Sequence, residues 1–147
     1  VGSKNKLLLT VFARDIEFPE EHAEEPNLIE LTGYICKDPI YRMTPFGREI
    51  TDLLLAVNRQ FNKTDYIPVI AWGRNAKFTK KMQVGDMLRI TGRLQSRGYT
   101  KTYPDGRTED KVAYEVSSSS IQKASSVNDL FGNDEDSEEN DKNLNIS

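Results

Sequence analysis

The sequence predicts an all-β fold with small α content, a five-stranded Greek-key barrel carrying one short helix. Three observations support that prediction. Apolar or β-branched segments of strand length recur from Leu28 onward. Clusters of turn-forming residues separate them, and only one short stretch has a helical pattern.

Lys6 to Phe12 opens the chain as a short apolar run, expected to be an added strand or an interface segment. Pro19 to Pro26 follows with four glutamates and reads as a linker, since it has nothing to bury. Leu28–Cys36, Ile50–Val57, Tyr66–Trp72, Met87–Leu94 and Val112–Ile121 are the five strand candidates. Thr44-Pro45-Phe46-Gly47, Asn62-Lys63-Thr64-Asp65 and Pro104-Asp105-Gly106 are the turns between them. Asn75 is expected to cap a helix over Ala76–Met82, with Ala76, Phe78 and Met82 buried, and Val84-Gly85-Asp86 returns the chain to a strand. Five strands with a helix between the third and fourth is the layout of an OB-fold, whereas a sandwich ordinarily needs about seven strands. Gly33, Gly73, Gly85 and Gly92 read as bends in that barrel.

Composition turns at Ser117, although Val116 and Ile121 still complete the last strand. Past Ala124 the chain is Ser, Asn, Asp and Glu, with Leu130-Phe131 an isolated apolar pair, and is expected to be disordered. The domain organisation is therefore an N-terminal extension over 1–26, a barrel over 27–124 and an acidic tail over 125–147.

The formal charge of -3 over 147 residues hides an uneven distribution. Residues 27–124 hold 16 basic and 10 acidic side chains, while 1–26 hold 3 and 6, and 125–147 hold 1 and 7. A basic body between acidic ends suits a polyanion better than the total suggests. Cys36 is the one cysteine and His22 the one histidine, which argues against a disulfide, a zinc site or His-dependent nucleophilic chemistry. Asp38, Asp52, Asp65 and Asp86 are scattered, without the paired spacing of acid–base catalysis, and no Gly-rich phosphate cradle is present. No catalytic residue, metal ligand or cofactor is assigned. With no apolar run of about 18 residues and no signal-peptide pattern, a cytoplasmic protein is expected.

Between Arg59 and Tyr99, aromatic residues recur beside arginines. A flat π-face next to a cation meets both needs of an unpaired nucleotide, stacking and charge neutralisation. Phe61 ends the second strand beside a polar turn, Trp72 precedes Gly73-Arg74 at a strand end, and Tyr99 enters the hairpin from Ser96 to Lys111. These three are expected to be base platforms. Tyr66, flanked by the apolar Ile67 and Val69, is the member of the set closest to a core residue. Arg42, Arg59, Arg74, Arg93 and Arg97 occur in or beside strands and turns, and the long hairpin adds Lys101, Arg107 and Lys111. Lys77, Lys80 and Lys81 on the helix read first as a solvated face.

Several runs resemble bacterial single-stranded DNA-binding proteins. They are Leu31-Thr32-Gly33-Tyr34-Ile35-Cys36-Lys37-Asp38-Pro39 with Tyr41-Arg42-Met43-Thr44-Pro45-Phe46-Gly47, and Leu55-Ala56-Val57-Asn58-Arg59. Further on come Asp65-Tyr66-Ile67-Pro68-Val69-Ile70-Ala71-Trp72-Gly73, Gly85-Asp86 and Gly92-Arg93-Leu94-Gln95-Ser96-Arg97. The resemblance spans about residues 27–122. It implies an OB-fold subunit of a homotetramer that wraps single-stranded DNA in replication, recombination and repair, in the nucleoid of a bacterial cell. It places Phe61, Tyr66, Trp72 and Tyr99 at the stacking positions and Arg42, Arg59, Arg74 and Arg97 near the phosphate contacts.

Two departures accompany it. Residues 1–26 precede the usual first strand, and the Pro-Phe tip that recruits replication and repair proteins is replaced by Asp141-Lys142-Asn143-Leu144-Asn145-Ile146-Ser147. Asp129-Leu130-Phe131 is a weaker internal substitute for that tip. Two other roles fit the same residues: an adaptor or primosomal paralogue acting through protein contacts, and a single-stranded RNA binder, because stacking does not read the 2′-hydroxyl.

Overall fold

The computed structural model describes residues 7–124. Lys6, the acidic tail and its Leu130-Phe131 pair lie outside the described residues, as does the expectation of disorder there. Six strands and a helix follow in order: β1 (Ile29–Ile35), β2 (Ile40–Met43), β3 (Glu49–Arg59), β4 (Lys63–Trp72), α1 (Gly73–Thr79), β5 (Met87–Thr102) and β6 (Thr108–Ala124). The sheet order is β1-β5-β6-β4-β3-β2. Tyr34 and Ile35 of β1 also pair with Ala56 and Leu55 of β3, which closes five strands into a ring. β4 and β6 pair in parallel and the other neighbours are antiparallel. This is the OB-fold expected from the sequence, with β2 added along β3.

Alternation builds the barrel. Leu53 and Leu55 of β3, Val69 and Ala71 of β4, Leu88 and Ile90 of β5, and Val116 of β6 point inward with Ile35 and form the core. Burying each large side chain contributes about 1.5–3 kcal/mol. Two glycines permit the closure. A Cβ on Gly33 would strike the carbonyl oxygen of Ala56, and one on Gly92 that of Ser117, so both strand crossings require the bare backbone.

The helix begins earlier than expected. Gly73 has φ +53, a left-handed value that glycine adopts at little cost. It turns the chain out of β4 at once, so Trp72 takes the N-cap position and Asn75 lies within the helix. There the Asn75 amide donates to the Ser119 carbonyl at 3.3 Å. Ala76 is buried as expected and Met82 packs partly on the core, but Phe78 is 40 % exposed. Thr79 fills the buried position instead, because helical spacing puts 76 and 79 on one face.

Other boundaries also shift. The β3–β4 turn spans residues 60–62, with Phe61 and Asn62 both at positive φ, and starts two residues ahead of the expected Asn62–Asp65 turn. The serine run belongs to β6: Ser118 Oγ donates to the Ile70 carbonyl at 2.9 Å, and Ser119, opposite the irregularity between Thr91 and Gly92, donates to the Thr91 carbonyl at 3.1 Å. Leu7 to Phe12 forms no strand. Leu9 to Val11 instead border an apolar cleft of about 280 Å³, lined on its other side by Ile67, Leu94 and Val116.

Candidate nucleic-acid interface

Residues directly opposite one another in a sheet share a face, so the register shows what the barrel presents outward. Arg42 of β2 lies opposite Ile50 of β3, which lies opposite Trp72 of β4. The next outward row runs Asp52, Ile70, Ser117 and Arg93. Ile50 and Ile70 point away from the main core, yet each is only 2 % exposed. The outward face thus has its own packed apolar floor. Trp72 is half-buried beside it, and its indole N–H donates to Ser117 Oγ at 3.0 Å, which fixes the ring.

Charges alternate across this face. Arg42 Nε meets Asp52 Oδ2 at 2.7 Å. Arg97 Nε and Gln95 Nε2 both donate to Glu115 Oε1, each at 3.1 Å. Glu115 is 4 % exposed, so its carboxylate depends on those donors. The hydrogen bond to Asp52 holds the Arg42 guanidinium above its ordinary value against partial burial, and Glu115 adds to the same effect. Asp52, Arg42, Glu115 and Arg97 therefore form one alternating array joining β2–β3 to β5–β6.

Farther along β5, Tyr99 is 40 % exposed opposite Lys111, on the same side as Arg93, Gln95 and Arg97. The hairpin tip closes as expected at Pro104-Asp105-Gly106, with Tyr103 N–H donating to the Arg107 carbonyl at 2.8 Å. Tyr103 is flanked there by Lys101 Nζ at 4.9 Å and the Arg107 guanidinium at 4.7 Å from its ring centre, while its hydroxyl donates to Glu109 at 2.6 Å.

Of the expected platforms, Trp72 and Tyr99 share the outward face, and Phe61 stands 90 % exposed at the tip of the β3–β4 hairpin. Tyr66 is not a core residue. It is 49 % exposed, because Ile67, Val69 and Ala71 set the inward parity of β4 and Tyr66 falls on the other side.

The expected phosphate ligands divide. Among the described residues Arg74, Arg93 and Lys101 have no carboxylate within ion-pair distance, whereas Arg42, Arg59, Arg97 and Arg107 do. Arg59 binds Asp65 at 2.7 Å and by register lies on the opposite side of its hairpin from Tyr66, so these two do not form one site. The helix lysines remain a solvated face, with Lys77 3.3 Å from Glu49 and Lys80 over the Tyr41 ring at 4.5 Å. Sequence reasoning missed Glu115, Gln95 and Ser117, which position the face, and the outward Tyr34. Period-two alternation was the available signal for Tyr34, between the close-packed Gly33 and the buried Ile35. Among the described residues no cluster of His, Cys, Asp or Glu is placed to hold a metal ion, and no helix is long and apolar enough to cross a membrane.

A closed five-stranded barrel with an aromatic, cation-bearing face has close relatives in sequence. Residues 26–124 match the model of the single-strand binding protein family. The chain is 36 % identical over 100 residues to a single-stranded DNA-binding protein of Clostridium tetani, covering 60 % of this chain and 69 % of that protein. It is 32 % identical over 119 residues to single-stranded DNA-binding protein 3 of Clostridium acetobutylicum, covering 73 % and 82 %. With single-stranded DNA-binding protein A of Bacillus subtilis it shares 37 % over 83 residues, half of this chain and 46 % of that one. The matched segment is the whole closed barrel with Trp72, Tyr66, Tyr99 and the charge array upon it, and the chain belongs to the single-strand binding protein family.

Proposed function

We propose that this chain binds single-stranded DNA without strong sequence preference and shields it during replication, recombination and repair. The observation that carries this is the outward face, where a fixed indole and an exposed tyrosine flank a band of arginines on a rigid apolar floor. Phe61, Tyr66, Trp72 and Tyr99 stack bases, each contributing about 1–3 kcal/mol. Arg74, Arg93 and Lys101 neutralise phosphates directly. Arg42, Arg59 and Arg107 do so by exchanging carboxylate for phosphate, which costs little where the ion pair is solvent-exposed, while Arg97 keeps its Nε on the buried Glu115 and offers its other guanidinium N–H groups. Sequence tolerance follows because every base has a π-face and no backbone contact reads its identity. The role is one of binding, with no bond made or broken.

The working unit in this reading is a homotetramer in the bacterial cytoplasm, so that one strand visits several barrels. Titration of the full chain with oligo-dT, following Trp72 fluorescence and complex mass together, tests binding, stoichiometry and assembly. Quenching at low salt, with log K falling by about 0.7 per neutralised phosphate for each log unit of salt, is the expected result. Unquenched Trp72 and unchanged mass at low salt would refute it. Matched RNA oligomers in competition separate a DNA from an RNA role.

A further inference from the structure

Beyond the four aromatics that align with stacking positions, a fifth stands on the same face. Tyr34 of β1 lies directly opposite Ala56 of β3, and Ala56 lies directly opposite Tyr66 of β4. The neighbouring row, Ile35, Leu55 and Ile67, turns into the core, so the row Tyr34, Ala56, Tyr66 turns outward. Exposure agrees: Tyr34 is 40 % and Tyr66 49 % accessible. The side chain between them is a methyl group, too small to cover either ring.

Local backbone geometry makes this row possible. At Gly33 the chain passes so close to the Ala56 carbonyl that no Cβ fits, and the next residue, Tyr34, is thereby set against β3. On its other side Tyr34 lies opposite Met87, which is 5 % exposed. Directly opposite Cβ atoms lie about 4.5–5.5 Å apart, which puts the two tyrosines about 10 Å from each other. That distance equals about three stacking intervals of ~3.4 Å.

We infer that Tyr34, Ala56 and Tyr66 form a nucleobase subsite, with the two rings as walls, Ala56 as floor and room for two stacked bases. The inference rests on the single-stranded DNA reading and deepens it, because Tyr34 then lengthens the path of the strand from β4 across β3 onto β1.

The test uses the full chain at low salt with oligo-dT, and with the same oligomer carrying 5-iodouracil for photocrosslinking. Tyr34→Ala should weaken binding about tenfold, while Tyr34→Phe, which keeps the ring, should bind as the native chain does. Tyr34→Ala combined with Tyr66→Ala should cost less than the product of the single losses, since the same bases have already lost one wall. The crosslink should map to Tyr34 as well as Tyr66. Native-like affinity of Tyr34→Ala with no crosslink at Tyr34 would overturn the subsite alone. A Tyr34→Ala chain of altered mass but unchanged affinity per barrel would overturn it too, assigning Tyr34 to contacts between copies. Failure of the native chain to bind oligo-dT would overturn this subsite and the DNA reading together.

Discussion

The β3–β4 half of the outward face exposes rings beside small side chains, and the β5–β6 half exposes mainly charged and polar side chains, several of them matched to one another. Tyr66 and Phe61 present bare aromatic surface, with Ala56 beside Tyr66. Across the long hairpin, Arg97 meets Glu115 at 3.1 Å, Thr100 meets Asp110 at 2.8 Å and Lys111 meets Glu109 at 3.4 Å. On the proposed reading the first half gains by stacking, which salt hardly screens. On the same reading the second gains phosphates directly at Arg93 and Lys101, and at Arg97 beside an internal partner. The excess of +6 over residues 27–124 survives this pairing, because each ion pair removes one charge of either sign.

The sharpest way to break this comparison is Trp72→Ala. Its ring is fixed by Ser117 beside Ile50 and Ile70, so on the proposed reading its loss removes both a platform and part of the floor. Affinity for oligo-dT, measured by electrophoretic shift because the fluorophore is gone, should fall by one to two orders of magnitude. The salt slope should not change, since no charge is lost. A slope that flattens would mean that Trp72 acts by placing arginines.

A smaller effect separates paired from unpaired cations. Arg93→Ala should lower affinity several-fold and flatten the salt slope by about 0.7, the value of one phosphate. Asp52→Asn should do the reverse, because it releases Arg42 from its 2.7 Å partner. Its affinity should rise and its slope steepen. Weaker binding by Asp52→Asn would show that the carboxylate aims Arg42 at the strand.

How much of this was legible follows from which residues a period can see. The five barrel strands were readable because Leu53, Leu55, Val69, Ala71, Leu88 and Ile90 repeat with period two. The hairpin tip was readable because Pro104-Asp105-Gly106 has turn chemistry. β2 was missed, since all four of its residues are exposed and leave no pattern of burial. Tyr66 was judged by its apolar neighbours when its parity was the better guide. The Glu115–Arg97 and Asp52–Arg42 pairs depend on strand register, which one sequence does not state.

Phe61 offers a third test, in which stability and binding move apart. Its φ of +63 is a strained value for a large side chain, of the kind kept where a site needs the geometry. Phe61→Gly should raise stability to urea by about 1 kcal/mol while weakening oligo-dT binding. Loss of stability would instead show that the ring packs in the native state.

The smallest expected effect is on stability against pH, and it compares the two hairpins that carry tyrosine–glutamate pairs. Hydrogen bonds from Tyr41 and Tyr103 are the main cause that holds Glu49 and Glu109 below the ordinary carboxylate value, and the same bonds raise both phenols. Asp86 is lowered chiefly by the Gln83 N–H. Carboxylates lowered in the native state contribute stability above their unfolded values of about 4 and lose it as pH falls through the native ones. Raised phenols contribute below about 10 and lose their share as pH rises through the native values. Thermal midpoints should thus hold level between those limits and decline on both sides. In Tyr103→Phe the midpoint should lie slightly below the native one across the plateau, and the difference should shrink at either extreme. A constant difference at every pH would mean that the Tyr103 ring, held between Lys101 and Arg107, matters more than its hydroxyl.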